Sequence, residues 1–220
     1  RVIAIVPKGD YHKEFEKHNI ETNWVELKRR SINPFREMKT LWQLYKAVKK
    51  IKPDIIHAFT IKPNIYASVV SRFVGVEKII ASITGMGAFY SEQTIKSFFM
   101  QRFINNLYRI VGVFADYVMF QNSDDLNYFE KNRLAKDKKT VCIKGSGIDT
   151  KLWNRVNQNE RDDIRYILVA RLLKTKGILD FCKAAKVMKK KYGQKVSFNL
   201  LGDVDVGNPD SLKRSDIEPY

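Results

Sequence analysis

Short apolar runs alternate along this chain with longer stretches whose apolar residues recur every three or four positions. Val2–Val6 is a short run closed by Pro7, Lys8 and Gly9, and Tyr11–His18 has helical spacing. Asn23–Leu27 predicts a second strand. Pro34 opens a helix running to about Lys50, with Phe35, Met38, Leu41, Trp42, Tyr45 and Val48 three and four apart. Pro53 and Asp54 stop it. Ile55–Phe59 is continuously apolar, the pattern of a parallel strand buried on both faces. A helix over Asn64–Val74 closed by Gly75, a strand over Ile79–Ile83 and a long helix from Thr94 to Ala115 follow. Tyr117–Gln121 and Thr140–Ile143 read as strands, and between them Ser123 caps a helix that begins Asp124-Asp125.

The texture then changes. Gly145, Ser146 and Gly147 make a joint, and Lys151–Arg165 is polar with no strand pattern, the mark of an interdomain linker. Beyond it the alternation restarts: strand Tyr166–Ala170, helix Gly177–Tyr192, strand Ser197–Leu201, and a Gly-, Pro-, Asp- and Ser-bearing tail, Gly202–Tyr220, that reads as a loop. Alternation of this kind predicts an α/β fold of doubly wound parallel sheets, here two facing Rossmann-like domains over residues 1–148 and 149–220. Because the chain begins at Arg1 inside an apolar strand, the first domain is expected to lack its first strand and the second to be cut short.

Composition changes this picture in two ways. Hydrophobic residues are 44% of the 220 and charged residues 29%, a globular balance that excludes a disordered chain. The net charge of +16 predicts an anionic partner: a phosphate-bearing substrate, an anionic membrane surface or nucleic acid. Its basic residues are spread over the whole chain and no nucleic-acid-binding module is visible, so nucleic acid is the least favoured of the three. A basic membrane- or nucleic-acid-binding domain without catalytic activity remains the alternative to an enzyme. Cys142 and Cys182 are far apart in sequence and imply no disulfide framework.

Ligands of such sheets bind beyond the carboxyl ends of the strands. The sharpest candidate there is Arg171-Leu-Leu-Lys-Thr-Lys176-Gly177, between a strand and a helix N-terminus. Two cations beside free helix N–H groups suit a diphosphate. Gly202 ends the next strand. Asp203-Val-Asp205 is an acidic pair that could hold a divalent metal, but it lies in a Rossmann unit and reads as loop chemistry. His57 reads as a hydrogen-bonded core residue, and Lys62 and Asn64, just beyond the same strand, as candidates for an acceptor's phosphate or sugar, or else as a capped, solvated turn. Over Thr94–Ala115, Ile95, Phe98, Phe99 and Phe103 recur at helical spacing with Lys96, Arg102 and Arg109 as the only charges. Phe98, Phe99 and Arg102 are therefore candidate contacts with an anionic membrane while the rest of the stripe packs in the core.

Several of these strings together resemble one family. Ile167–Gly177, Gly145-Ser-Gly-Ile-Asp149 followed by Trp153, His57–Tyr66, Ile83-Thr-Gly-Met-Gly87, Gln121-Asn-Ser-Asp-Asp125 and Gly207-Asn-Pro209 are similar, in order, to family 4 glycosyltransferases of the two-Rossmann GT-B type. They look like the bacterial subgroup that builds capsule, O-antigen and protein-glycan precursors, which includes the transferase adding N-acetylgalactosamine to lipid-linked bacillosamine. The resemblance implies a retaining enzyme, peripheral on the cytoplasmic face of the membrane. It implies that Arg171, Lys176 and Gly202 hold the diphosphate of a UDP-sugar without metal or other cofactor, and that an undecaprenyl-diphosphate-linked acceptor is the second substrate. It implies no protein nucleophile: the acceptor hydroxyl attacks on the front face and the leaving phosphate acts as base. Thr84 and Gly85 stand at the catalytic loop, where the family often has His in place of Thr84, so no titrating side chain is available at that position. The family's two Glu eight positions apart are not found in this sequence.

Overall fold

The computed structural model describes residues 1–9, 11–28, 31, 33–86, 95–135, 139–153, 163–206, 208 and 210–218, with the side chains at 96 and 97 excepted. Gly87, Thr94, Gly207, Pro209 and most of the expected linker, 154–162, lie outside them. The chain divides into two compact units, Arg1–Ile148 and Asp149–Tyr220.

The first unit runs β1 (Ile3–Val6), α1 (His12–Lys17), β2 (Glu21–Trp24), α2 (Pro34–Ile51), β3 (Ile55–Phe59), α3 (Ile61–Val74), β4 (Lys78–Ile83), α4 (Ile95–Phe114), β5 (Tyr117–Phe120), α5 (Ser123–Lys131) and β6 (Thr140–Cys142). Strands β1 and β2 pair in parallel, and β3-β4-β5-β6 form a second parallel sheet. The second unit contains β7 (Ile164–Val169), α6 (Ile178–Tyr192) and β8 (Val196–Leu201), with β7 and β8 parallel. The all-parallel, alternating α/β fold expected from the sequence is therefore the one found.

The main core lies on one face of the four-stranded sheet. Val48 of α2, Ile65 and Val70 of α3, and Tyr108 and Val111 of α4 cover Ile79, Ala81 and Ile83 of β4 and Val118 and Phe120 of β5. Phe129 of α5 meets Phe120 and Tyr108 edge-on, each at 4.8 Å between ring centroids. A side chain at Gly112 would place its Cβ 2.0 Å from the Leu134 carbonyl oxygen, so glycine is required where α4 crosses that segment. The opposite face is open: Ile55, His57 and Phe59 are exposed. Burial of β3 on both faces is thus not found, because among the described residues all the packing helices named above cover the other side.

The amino ends of the strands are clamped. Arg72 at the end of α3 donates to the Phe114 carbonyl at 2.6 and 3.2 Å and to Asp116 Oδ1 at 3.0 Å, while Asp116 Oδ2 accepts the Ile79 N–H at 2.9 Å. Lys139, leading into β6, reaches the Ala115 carbonyl at 2.8 Å. One residue cluster therefore joins the ends of α3 and α4 to the starts of β4, β5 and β6.

Several boundaries move from the sequence expectation. β2 ends at Trp24 rather than reaching Leu27, and Val25 turns into the core. α3 starts at Ile61, not Asn64, because Pro63 falls in the first turn, where its missing N–H costs no helical bond. Asn122, not Ser123, caps α5 by accepting the Asp125 N–H at 2.8 Å. β7 begins at Ile164, inside the segment read as linker. The tail is no free loop: Leu212 is buried in the second core with Leu172, Ile178 and Cys182.

Candidate functional site

In the second unit, β7 and β8 run in register and the pairing continues past their ends. Ala170 N–H donates to the Leu201 carbonyl at 3.0 Å and Leu172 N–H to the Asp203 carbonyl at 3.0 Å. Gly202 makes this approach possible: a Cβ there would lie 1.8 Å from the Ala170 carbonyl oxygen. Leu172 and Leu173 then turn inward and are buried. Lys174 N–H donates to the Asp210 carbonyl at 2.9 Å, and Leu212 N–H to that of Leu172 at 2.8 Å. The segment is thus anchored by two leucines and laced on one side to the tail, which leaves its cations facing outward.

Arg171 leaves the end of β7 with half of its side chain exposed and donates from Nη1 to Asp205 Oδ2 at 2.7 Å. Asp205 also accepts from Asn208 Nδ2 at 2.9 Å, and its N–H donates to Ser211 Oγ at 3.1 Å. Asp203 instead accepts the Val204 N–H at 2.8 Å. The two carboxylates of the Asp-Val-Asp string are therefore drawn to different partners, and one of them is committed to the arginine. Lys176 closes a 3-10 turn, Lys174–Lys176, and is exposed. Gly177 at φ 69° reverses the chain into α6, whose first turn has no side-chain cap. An arginine, a lysine and the unfilled N–H groups of a helix start thus gather around one loop. An anion bound there meets fixed positive charge on a rigid frame.

In the first unit, the carboxyl edge of the sheet carries Thr60, Thr84, Gly85 and Gln121. Thr84 is exposed one residue past β4, and Gly85 has φ 142°, a glycine conformation. Thr60 holds φ 71° and ψ 165° where β3 turns into α3, a conformation that is strained for a β-branched residue. Gln121 Nε2 donates to Ser146 Oγ at 2.8 Å. Among the described residues, this edge presents hydroxyl and amide groups.

The structure gives Lys62 and Asn64 internal partners. Lys62 donates to the Lys28 carbonyl at 3.0 Å, to the Ser31 carbonyl and to Glu37 Oε1 at 2.8 Å. Tyr66 donates to the other oxygen of Glu37. Burial opposes the charge on Glu37, but the hydrogen bonds from Lys62 and Tyr66 outweigh it and hold the carboxyl below its ordinary value. Asn64 is 1% exposed and donates from Nδ2 to the Ser82 carbonyl at 2.8 Å. Both residues pin the loop before α2 and the end of β4. His57 is hydrogen-bonded, at 2.7 Å to Ser82 Oγ, but sits on the open sheet face rather than in the core; desolvation lowers its pKa.

On α4, Ile95, Phe98, Phe99 and Phe103 are exposed on one face, with Arg102 exposed beside them, while Ile104, Tyr108 and Val111 are buried on the other. Phe98 and Phe99 meet edge-on at 5.8 Å. Sequence reasoning missed Asp205 as the partner of Arg171. The one available signal was an acidic residue in the loop after the neighbouring strand.

Comparison with known proteins bears on this geometry. The chain is 27% identical over 218 residues to N,N'-diacetylbacillosaminyl-diphospho-undecaprenol alpha-1,3-N-acetylgalactosaminyltransferase of Campylobacter jejuni, covering 93% of this chain and 56% of that protein. It is 25% identical over 194 residues to UDP-Gal:alpha-D-GlcNAc-diphosphoundecaprenol alpha-1,3-galactosyltransferase of Escherichia coli, covering 81% of this chain and 48% of that one. The chain thus spans about half the length of these curated relatives. A glycosyltransferase from Rickettsia africae shares its fold, with a TM-score of 0.63 at 17% identity over 93% of this chain and 53% of its own. S. aureus MnaA, solved with UDP, does so with a TM-score of 0.56 at 15% identity over 94% of this chain and 63% of its own. The glycosyl transferase 4-like family matches residues 2–122, more than half of the chain and the first unit's frame from β1 through β5, so the chain belongs to that family.

Proposed function

We propose that the protein containing this chain is a retaining glycosyltransferase that moves a hexose or N-acetylhexosamine from a UDP-sugar to a lipid-diphosphate-linked acceptor in surface-glycan precursor synthesis. The observation that carries the reading is the loop after β7, where Arg171 and Lys176 flank the start of α6. Breaking the sugar–phosphate bond leaves negative charge on the nucleotide. Two fixed cations and a helix N-terminus at that point stabilise charge that grows only as the bond breaks, and so they lower the barrier rather than merely tighten binding. Arg171 is held by Asp205, so its guanidinium is oriented before the diphosphate arrives. The same loop then needs no metal bridge, and the reaction runs without one.

In this reading the first unit receives the acceptor at its carboxyl edge. Thr84 and Gly85 position the attacking hydroxyl by hydrogen bonds, and the departing phosphate takes its proton. The names of both curated relatives specify diphospho-undecaprenol substrates, which supports an acceptor of that class here. Among the described residues no helix is long and apolar enough to cross a membrane. The protein meets its lipid substrate peripherally, at the inner face of the cell membrane, with Phe98, Phe99 and Arg102 of α4 at the lipid surface.

The test is transfer by the whole protein from a panel of UDP-sugars to a lipid-diphosphate acceptor. Arg171→Ala and Lys176→Ala are each expected to lower turnover by about 10²–10³-fold. Near-wild-type turnover in both variants overturns the donor-phosphate assignment.

A further inference from the structure

Ser82 is the last residue but one of β4, and three groups of the β3–α3 crossover converge on it. Its hydroxyl lies 2.7 Å from His57 Nε2. Its carbonyl accepts from Asn64 Nδ2 at 2.8 Å and from the Thr60 N–H at 3.4 Å. The Asn64 N–H in turn donates to the Thr60 carbonyl at 3.0 Å, which ties the crossover to itself. Two residues beyond Ser82, Thr84 and Gly85 stand exposed between the buried side chains of Ile83 and Met86. This exposed pair therefore leaves a strand end that is held by its side chain and by its main chain.

The two holds serve different ends. Asn64 is buried, and its bond belongs to the interior of the first unit. His57 lies on the open sheet face, with its ring centroid 4.3 Å from that of Phe59. The parallel register sets Phe59, not His57, beside Ser82, so the imidazole reaches along the strands to meet the hydroxyl. Desolvation favours the neutral ring, in which Nε2 can accept the Ser82 hydroxyl proton. The main core packs against the opposite face, so losing this one bond opens no cavity there. A polar contact on an uncovered face, next to an exposed turn, acts on where that turn sits.

We propose that His57 is a positioning residue for glycosyl transfer: by holding the Ser82 hydroxyl it fixes the end of β4, and with it the Thr84–Gly85 turn that aligns the acceptor's attacking hydroxyl. The part played by the turn rests on the proposed function; the hold on Ser82 does not. A reacting group misplaced by about 1 Å can cost about 100-fold in rate, so a turn freed at one of its anchors is expected to lose about tenfold in kcat. The KM for the UDP-sugar, which belongs to the loop after β7, stays as it was.

The test uses the whole protein and two readouts, one of which needs no transfer. His57→Phe keeps a ring against Phe59 and removes the nitrogen. It should lower kcat about tenfold at unchanged KM for the UDP-sugar, and speed amide hydrogen exchange at Thr84–Met86 while Ile79–Ala81 and the thermal midpoint stay unchanged. His57→Gln, whose amide can take the place of Nε2, should restore both. Ser82→Ala should match His57→Phe, and the two together should be no worse than either, because they remove one bond. Wild-type exchange at Thr84–Met86 in both single variants overturns the proposal. So do losses in kcat that add in the double variant, or a failure of His57→Gln to restore either readout, since the ring then acts by itself. Faster exchange in His57→Phe, in a protein whose wild type transfers from no UDP-sugar, overturns the proposed function and leaves the hold of His57 on the turn standing.

Discussion

Gly202→Ala tests the frame of the loop after β7 without touching either cation. The added Cβ would stand 1.8 Å from the Ala170 carbonyl oxygen and 2.8 Å from its carbon. Both are backbone atoms that no rotamer change can move. The ends of β7 and β8 must part, which strains the two bonds on either side, Ala170 N–H to Leu201 O and Leu172 N–H to Asp203 O, both 3.0 Å. Overpacking of this kind costs about 1–3 kcal/mol, and each bond lost adds ~1 kcal/mol. Arg171 and Asp205 stand on opposite sides of the same gap, so their 2.7 Å pair is opened too. Urea unfolding should show a midpoint lowered by about 1 M at an unchanged slope, taking roughly 2 kcal/mol over ~2 kcal/mol per molar. Titration calorimetry with UDP should show affinity reduced at least tenfold. Gly9→Ala, which meets no atom within 4 Å, is the control and should change neither. A Gly202→Ala protein with wild-type midpoint and UDP affinity refutes the account of this loop.

Other outcomes follow from the same geometry. Phe98→Asp with Arg102→Glu should reduce sedimentation with anionic vesicles several-fold and leave transfer to a short-chain, detergent-soluble acceptor intact. Asp205→Asn should raise the KM for the UDP-sugar a few-fold more than it lowers kcat, because the arginine loses its orientation but keeps its charge; excess EDTA should leave transfer unchanged. The carboxyl of Glu37, held below its ordinary 4.5 in the folded state, contributes stability that is present above pH 4.5 and lost as pH falls through the lowered value. Glu37→Gln should flatten that part of the acid-unfolding curve, measured by circular dichroism between pH 3 and 6.

What the sequence made legible was what neighbours in sequence decide. Pro34 placed the start of α2, and the apolar run Ile55–Phe59 placed β3, since each signal acts within a turn or a few strand residues. The cations at Arg171 and Lys176 were legible because a strand end and a helix start bracket them. The pairing of Arg171 with Asp205 was not, because it joins residues 34 apart through the register of β7 on β8. The inward turn of Lys62 was hidden for a similar reason: its partners come from the loop before α2 and from α2 itself. The helical spacing marked α3 only from Asn64, although a helix's first turn accepts Pro63 and the helix opens at Ile61.

The clamp of Arg72, Asp116 and Lys139 divides the labour between the two rims of the first sheet. With the amino ends of β4, β5 and β6 locked to the ends of α3 and α4, strand order and spacing do not depend on what the opposite loops contain. If the proposed function holds, substitutions at Thr84, Gly85 or Gln121 would alter which acceptor is welcomed while the scaffold stands unchanged. A frame secured at one rim gives the other freedom to diversify.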